Sequence, residues 1–392
     1  MPPTTLDSPF TTPLDPPQAT VLIGAGAAWL TAAELLDCRL PVVIIDPRGR
    51  WRAVASRLAI PTVRLPDDAI NPLDFRAALG DVINPLALQI PAAAKVIVSA
   101  CQLHGCAWDF DAGSYDVLHI ALAAAYETAY PRSTDITAQH RAPAESMPTI
   151  DDAHTQVSAL AVAARHAGEV GEQQRVLDLA KALAPLVDSE ELSVVYGRLS
   201  TIDPVAESLH IDLSGLPASQ RPAAMIVALD EARKRARPNQ QRLTIVDDAD
   251  LLFVDGGPPD YLKWLPGARP SSVPRLLTEA PGRMLAAVDP KDPYGETFLR
   301  LYPGLIVSNA DAEALSALTA HGFIDEAEHE RLRDMPPTAG LAANRHERRL
   351  FDARHLLADA DEPLYELVFS GERRGSRPPA AASTRVPAAG PR

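Results

Sequence analysis

The chain has 392 residues, 46% of them hydrophobic, and a formal charge of −14. That length suits one enlarged α/β domain or two smaller ones, and the acidic balance weighs against a protein that grips nucleic acid through a basic face. Three cysteines, Cys38, Cys101 and Cys106, are too few for a disulfide framework and fit a reducing compartment.

Residues 1–18 are rich in Pro and Thr and lack the basic and apolar regions of a signal peptide, so a disordered tail is expected there. No run of about eighteen apolar residues is uninterrupted, which argues against a transmembrane helix and for a cytoplasmic protein. A buried strand is expected at Ala19–Ile23, followed by the turn Gly24-Ala25-Gly26 and a helix over Ala27–Leu36. A second buried strand, Val42–Ile45, ends on Asp46-Pro47-Arg48-Gly49. Strand, glycine turn, helix and strand make one βαβ unit, so a parallel sheet follows. A short strand is expected at Pro61–Leu65.

Apolar residues then recur at three- and four-residue spacing over Ala92–Cys101 and Tyr115–Tyr126. After the proline-bearing linker Pro131–Pro148, helices are expected at Asp151–His166, Glu172–Ala184 and Ser189–Arg198. The sheet resumes with Ser208–Leu213, a helix over Pro222–Ala236 and a strand Arg242–Val246 that ends on Asp247-Asp248. Further strands are expected at Met284–Val288 and Gly304–Val307, and helices at Ala310–His321 and Asp325–Arg333. The expected organisation is therefore an α/β domain in two parts, 19–90 and 201–370, interrupted by an all-α insertion over 91–200. A second Arg/Pro/Ala-rich disordered tail covers 371–392.

Two ligand chemistries compete for the glycine turn. As a dinucleotide fingerprint, Gly24-x-Gly26-x-x-Trp29 opens a helix and Asp46 ends the next strand, where a ribose-binding acid belongs, as in NAD- or FAD-dependent oxidoreductases. Trp29 is a poor substitute for the third glycine, which must be small for close helix–strand packing. As a phosphate-binding loop aligned to G-x-x-x-x-G-K-[ST], Gly24 and Thr31 match, while Trp29 and Leu30 stand where the second glycine and the lysine belong. Leu30 has no side-chain donor to give a phosphate in place of the lysine ammonium. Asp247-Asp248 at a strand end is a Walker B-like pair, the first acid suited to a Mg²⁺ shell and the second to polarising a water.

Several segments, in order, resemble the conjugative-transfer and type IV secretion motor ATPases of the HerA–FtsK P-loop class: Val43-Ile44-Ile45-Asp46-Pro47-Arg48-Gly49, Ile70-Asn71-Pro72-Leu73-Asp74, Ile211-Asp212-Leu213-Ser214-Gly215-Leu216 and Thr244-Ile245-Val246-Asp247-Asp248-Ala249. The resemblance covers about residues 19 to 350 and implies a RecA-like P-loop NTPase fold, a mostly parallel sheet with an all-α insertion. It implies Gly24, Gly26 and Thr31 as nucleotide-binding residues, Asp247 as the Mg²⁺ ligand, Asp248 as the catalytic acid, and ATP with Mg²⁺ as cofactors. The departures fall on the chemistry. Besides Trp29, Leu30 and the short Asp248, Val288 stands at the position of a sensor glutamine, and Glu279-Ala280-Pro281-Gly282 replaces basic residues, with Arg283 and Arg269 nearby.

The expected function is therefore a hydrolysis-impaired, degenerate transfer ATPase-like subunit, structural or regulatory. Its expected partners are an active transfer ATPase, the secretion machinery or further copies of itself, through which it would lie peripherally at the inner membrane. Residual nucleotide binding and a Rossmann-type oxidoreductase stay open as alternatives. Arg48 and Arg50 follow the strand beside the loop, so either is a conceivable replacement for the missing lysine.

Two further features are read as non-functional. Cys101, His104 and Cys106 lack a fourth ligand for zinc. The ten histidines show no metal-binding spacing. Arg331, Arg333, Arg345, Arg348 and Arg349 leave room for a local basic patch, but the overall acidic field repels a polyanion and weighs against direct DNA grip.

Overall fold

The computed structural model describes residues 20–37, 40–78, 85–105, 110–129, 142–236, 242–253, 261–262, 272–279, 281–287, 302–336, 339–343 and 348–352. The two expected tails, most of the 131–148 linker, and Cys38, Cys106, Arg269, Val288 and Arg345 lie outside these residues.

The first βαβ unit forms as expected from β1 (Thr20–Ile23), α1 (Ala25–Asp37) and β2 (Val42–Asp46), with α2 (Arg52–Arg57) and β3 (Thr62–Arg64) after it. The described chain between β3 and β4 is helical: α3 (Pro85–Leu103), α4 (Ala112–Ala129), α5 (Ile150–Ala167), α6 (Val170–Asp188) and α7 (Glu190–Tyr196), with two short 3₁₀ turns. Local chemistry sets the ends of α5. Thr149 and Asp152 form a reciprocal capping box at its start, and Gly168 at φ 75° closes its end in the left-handed conformation. The chain then gives β4 (Leu209–Asp212), α8 (Arg221–Arg235), β5 (Arg242–Val246), β6 (Ser272–Thr278), α9 (Gly282–Ala287), β7 (Gly304–Ser308), α10 (Ala312–Ala320), α11 (Glu326–Arg333), β8 (Ala339–Ala343) and β9 (Arg348–Asp352).

These strands make one nine-stranded sheet in the order β3-β4-β2-β5-β6-β1-β7-β8-β9. The seven from β3 to β7 are parallel, and β8 and β9 add antiparallel at one edge. The parallel strands are near-continuous apolar runs because both faces are covered. Alternate residues serve opposite faces. Leu22, Ile44, Ile245 and Leu277 pack with Trp29, Leu30 and Trp51 on one side. Ile23, Ile45, Val246 and Leu276 join the larger core formed with α3, α4 and α8 on the other.

One expected strand is corrected. Residues 284–287 belong to α9, not to a strand, and the strand beside β5 is β6. Arg283, Met284, Leu285 and Ala286 favour helix, and the Asp250 carboxylate accepts the Met284 amide at 2.9 Å near the helix start. β6 was obscured by Pro274, which sits in register with Thr244 although proline is unusual inside a sheet.

Gly24, at φ +100°, is the single residue between β1 and α1. A Cβ there would collide with the Ser308 carbonyl oxygen and lie 2.7 Å from the Ala310 amide nitrogen. Both obstacles are backbone and cannot rotate away. Gly24→Ala is therefore expected to cost about 2–4 kcal/mol through strain and steric overlap, read as a lower urea midpoint with an unchanged slope.

Candidate functional site

The expected nucleotide-binding residues lie together at the C-terminal end of β1. The Gly24 amide donates to the Thr278 carbonyl at 2.9 Å, the Ala25 amide to the Asn309 carbonyl at 3.2 Å, and the Ala27 amide back to the Gly24 carbonyl at 3.0 Å. Gly26 faces Ser308 so closely that a Cβ would strike its side chain. The Thr31 hydroxyl is buried and donates to the Ala27 carbonyl at 2.8 Å. Leu30 is fully buried and Trp29 nearly so, both in the core beneath the sheet. A phosphate cradle works by aiming several free N–H groups at one point. Here three of the amides in the turn are already bonded to protein carbonyls.

On the neighbouring strand, Asp46 organises the whole 46–51 turn. Its Oδ1 accepts the amides of Arg48 at 3.2 Å, Gly49 at 2.7 Å and Arg50 at 3.2 Å. Its Oδ2 accepts the Trp51 amide at 2.8 Å and faces His210 Nε2 at 3.0 Å. The carboxylate is fully buried, so no oxygen is left for a ribose hydroxyl. The assignment of Asp46 to a dinucleotide ribose, and with it the oxidoreductase alternative, is thereby unsupported.

The ordered turn and the first residue of α2 deliver three arginines to four carboxylates. Arg50 donates through Nε to Asp247 Oδ2 at 2.6 Å, through Nη2 to the other Asp247 oxygen, and through Nη1 to Glu279 Oε1 at 2.5 Å. Arg48 pairs with Asp248. Arg52 and Arg64 share Asp212 Oδ2, at 2.6 and 3.3 Å, and Arg52 also reaches the Ser214 hydroxyl at 2.5 Å. Asp247 and Asp248 therefore do converge at the end of β5, but as partners of guanidinium groups. Asp248 sits at φ +48°, a left-handed conformation that aspartate tolerates.

Burial pushes the Asp247 carboxyl up, to about 7, with Arg50 pulling against it and the Asp248 and Asp46 charges adding to the rise. Burial likewise raises Asp248 against the opposing pull of Arg48 and Arg50. For Arg50, burial disfavours the cation, but Asp247 and Glu279 more than compensate and raise its pKa. At Asp212 burial is outweighed by Arg52 and the Ser214 bonds, which hold the carboxyl below its usual range.

Sequence reasoning missed Arg50 and Glu279 as members of this cluster. The sequence offers Arg50 only as a replacement for the loop lysine, whereas its guanidinium lies on the acids. Glu279 follows β6 directly, next to the end of β5. The sensor position was placed instead at Val288, beyond what is in fact α9. The Asn71 segment has a packing role here: Asn71 Nδ2 donates to the Pro148 carbonyl at 2.8 Å, and Tyr126 donates to the Leu73 carbonyl at 2.6 Å.

Cys101 is buried and bonds the Ala182 carbonyl at 3.4 Å, and His104 Nε2 faces the Tyr196 hydroxyl at 3.3 Å. No group of three or more metal-ligating side chains occurs among the described residues. In the basic patch, Arg333 pairs with Glu330 and Arg348 with Glu328.

The nine-stranded, mostly parallel sheet, with a glycine turn opening a helix after β1 and acids at the ends of adjacent strands, matches the P-loop NTPase fold. Solved structures bear this out. VirB4 of Thermoanaerobacter pseudethanolicus is 18% identical, with 89% of this chain and 91% of that one covered and a TM-score of 0.65. The conjugative coupling protein TrwB, in a crystal form with sulphate, is 14% identical over 90% of each chain at a TM-score of 0.54. The plasmid coupling protein TrwB in complex with ADP and Mg²⁺ gives 14%, 90% of each chain and 0.51. At these identities the likeness establishes the fold. No protein-family model and no curated protein matches the chain.

Asp46→Asn keeps the shape but turns one acceptor into a donor facing backbone N–H groups. It is expected to destabilise the fold by about 2–4 kcal/mol, measured by denaturant unfolding, and to broaden the backbone amide signals of residues 48–51.

Proposed function

We propose that the protein is a motor-like subunit of a conjugation or secretion assembly that does not hydrolyse ATP. It acts as a structural or regulatory partner of an active transfer ATPase, of the secretion machinery or of further copies of itself. The observation that carries this reading is the β1–α1 turn: one glycine long, with the amides of Gly24, Ala25 and Ala27 bonded to protein carbonyls. Leu30 and Thr31 are wholly buried beside it. TrwB has been captured with ADP and Mg²⁺ on this fold. The residues of this chain do not fit such a ligand, because the turn offers few free donors and Asp247 is already bound through both oxygens. Gly24, Gly26 and Thr31 then serve helix–strand packing, Asp247 holds no Mg²⁺, and Asp248 polarises no water.

No helix among the described residues is long and apolar enough to cross a membrane. In this reading the protein lies at the cytoplasmic side of the inner membrane, attached through its partners. The net charge of −14 disfavours direct contact with nucleic acid.

The purified protein, alone or mixed with an active transfer ATPase, is expected to add no ATP turnover, and calorimetry with millimolar ATP or ADP to show no heat. Turnover by the wild type that Asp248→Asn abolishes would overturn the proposal. Restoring the loop lysine is expected to fail too. Leu30→Lys places an unpaired ammonium in the core, so it should cost about 3 kcal/mol or more and lower the Tm without creating activity.

A further inference from the structure

The acidic cluster at the ends of β5 and β6 is built around a cation that belongs to the chain. Arg50 uses three N–H groups on two carboxylates from adjacent strands, two on Asp247 and one on Glu279. Its side chain is 4% exposed and that of Asp247 is fully buried. A fork of this kind matches carboxylate geometry better than an ammonium does.

The guanidinium is not a loose surface group that has drifted inward. The Arg50 amide is anchored on Asp46 Oδ1 and the next amide, that of Trp51, on Asp46 Oδ2. Gly49 at φ +79° makes the turn that aims Arg50 across the end of β2 towards β5. Arg48, on the same turn, neutralises Asp248. The turn thus supplies two positive charges to the three carboxylates Asp247, Asp248 and Glu279.

Hard divalent cations bind through carboxylate oxygens at about 2.0–2.6 Å. Both oxygens of Asp247 and one of Glu279 already face N–H donors. A metal entering here would have to eject Arg50 and leave its charge buried without a partner, which is strongly unfavourable. We infer that Arg50 is the resident cation of this cluster, occupying the Asp247 and Glu279 oxygens that a divalent metal would need. The cluster is then a metal-independent structural clasp between β2, β5 and the end of β6. This inference rests on the proposal that the site does not hydrolyse ATP, but its test is independent of turnover.

The test combines Mn²⁺ binding, followed by loss of the free-ion electron paramagnetic resonance signal, with thermal melts in millimolar Mg²⁺ and in EDTA, without nucleotide. The wild type should leave the Mn²⁺ signal undiminished and melt at the same temperature in both buffers. R50M, which keeps most of the side-chain bulk but not the charge, should melt lower in EDTA. It should recover part of the loss in Mg²⁺ and take up Mn²⁺. R50K keeps a cation and should remain indifferent to metal.

Mn²⁺ capture by the wild type that D247N removes would overturn the inference. So would an R50M protein that folds yet ignores both ions. The wild-type arm decides by itself if R50M does not fold. Metal-dependent hydrolysis by the wild type would sink both readings, whereas Mn²⁺ capture without hydrolysis would sink this inference alone.

Discussion

The buried carboxylate of Asp46 is the contact on which the candidate site depends. Four consecutive backbone amides, from Arg48 to Trp51, converge on its two oxygens, and His210 on β4 completes the set. A carboxylate accepting several backbone N–H groups in a dry setting holds its turn tightly. The orientation of Arg48, Arg50 and Arg52 follows from that turn. Each leaves it towards a different acid: Asp248, Asp247 with Glu279, and Asp212. Three strand ends are tied to one loop by these ion pairs.

The two halves of the site are consistent with each other. At β1 the glycine turn is closed, with Thr278 and Asn309 carbonyls taking amides that a phosphate would need. At β5 the acids are neutralised by arginine. The two features meet at the end of β6, where the Thr278 carbonyl accepts the Gly24 amide and the next residue, Glu279, accepts Arg50. One occupies backbone amides of the kind a phosphate would use, and the other occupies carboxylate oxygens of the kind a metal would use.

Much of the architecture was legible because parallel strands covered on both faces leave continuous apolar runs such as Val42–Ile45 and Leu243–Val246. The helices between β3 and β4 were equally visible in their spacing. Met284–Val288 misled because a short apolar run does not separate strand from helix, and Pro274 hid the true strand. The glycine turn and the Asp247-Asp248 pair were found as local motifs. Their chemical state was not, because it is decided by Arg50, which lies 197 residues from Asp247 in the chain. Nothing local to either residue announces that bond. The clue is the position of Arg48 and Arg50 just after an apolar strand, which the sequence links to the β1 loop although the arginines serve the end of β5.

Helix α8 carries a different consequence. From Ala223 to Arg235 it is buried on every side, including Asp230, Glu231, Arg233, Lys234 and Arg235. A cylinder coated only with apolar groups could rotate about its axis at small cost, since hydrophobic contact has no direction. Hydrogen bonds do have one. Arg233 reaches Gln89 on α3, Lys234 the Pro72 carbonyl, and Arg235 the carbonyls of Asp203 and Ala206. These bonds act as a key in a lock, admitting one angular setting of the helix. The sheet face above it and the all-helical segment beside it are thereby indexed to each other.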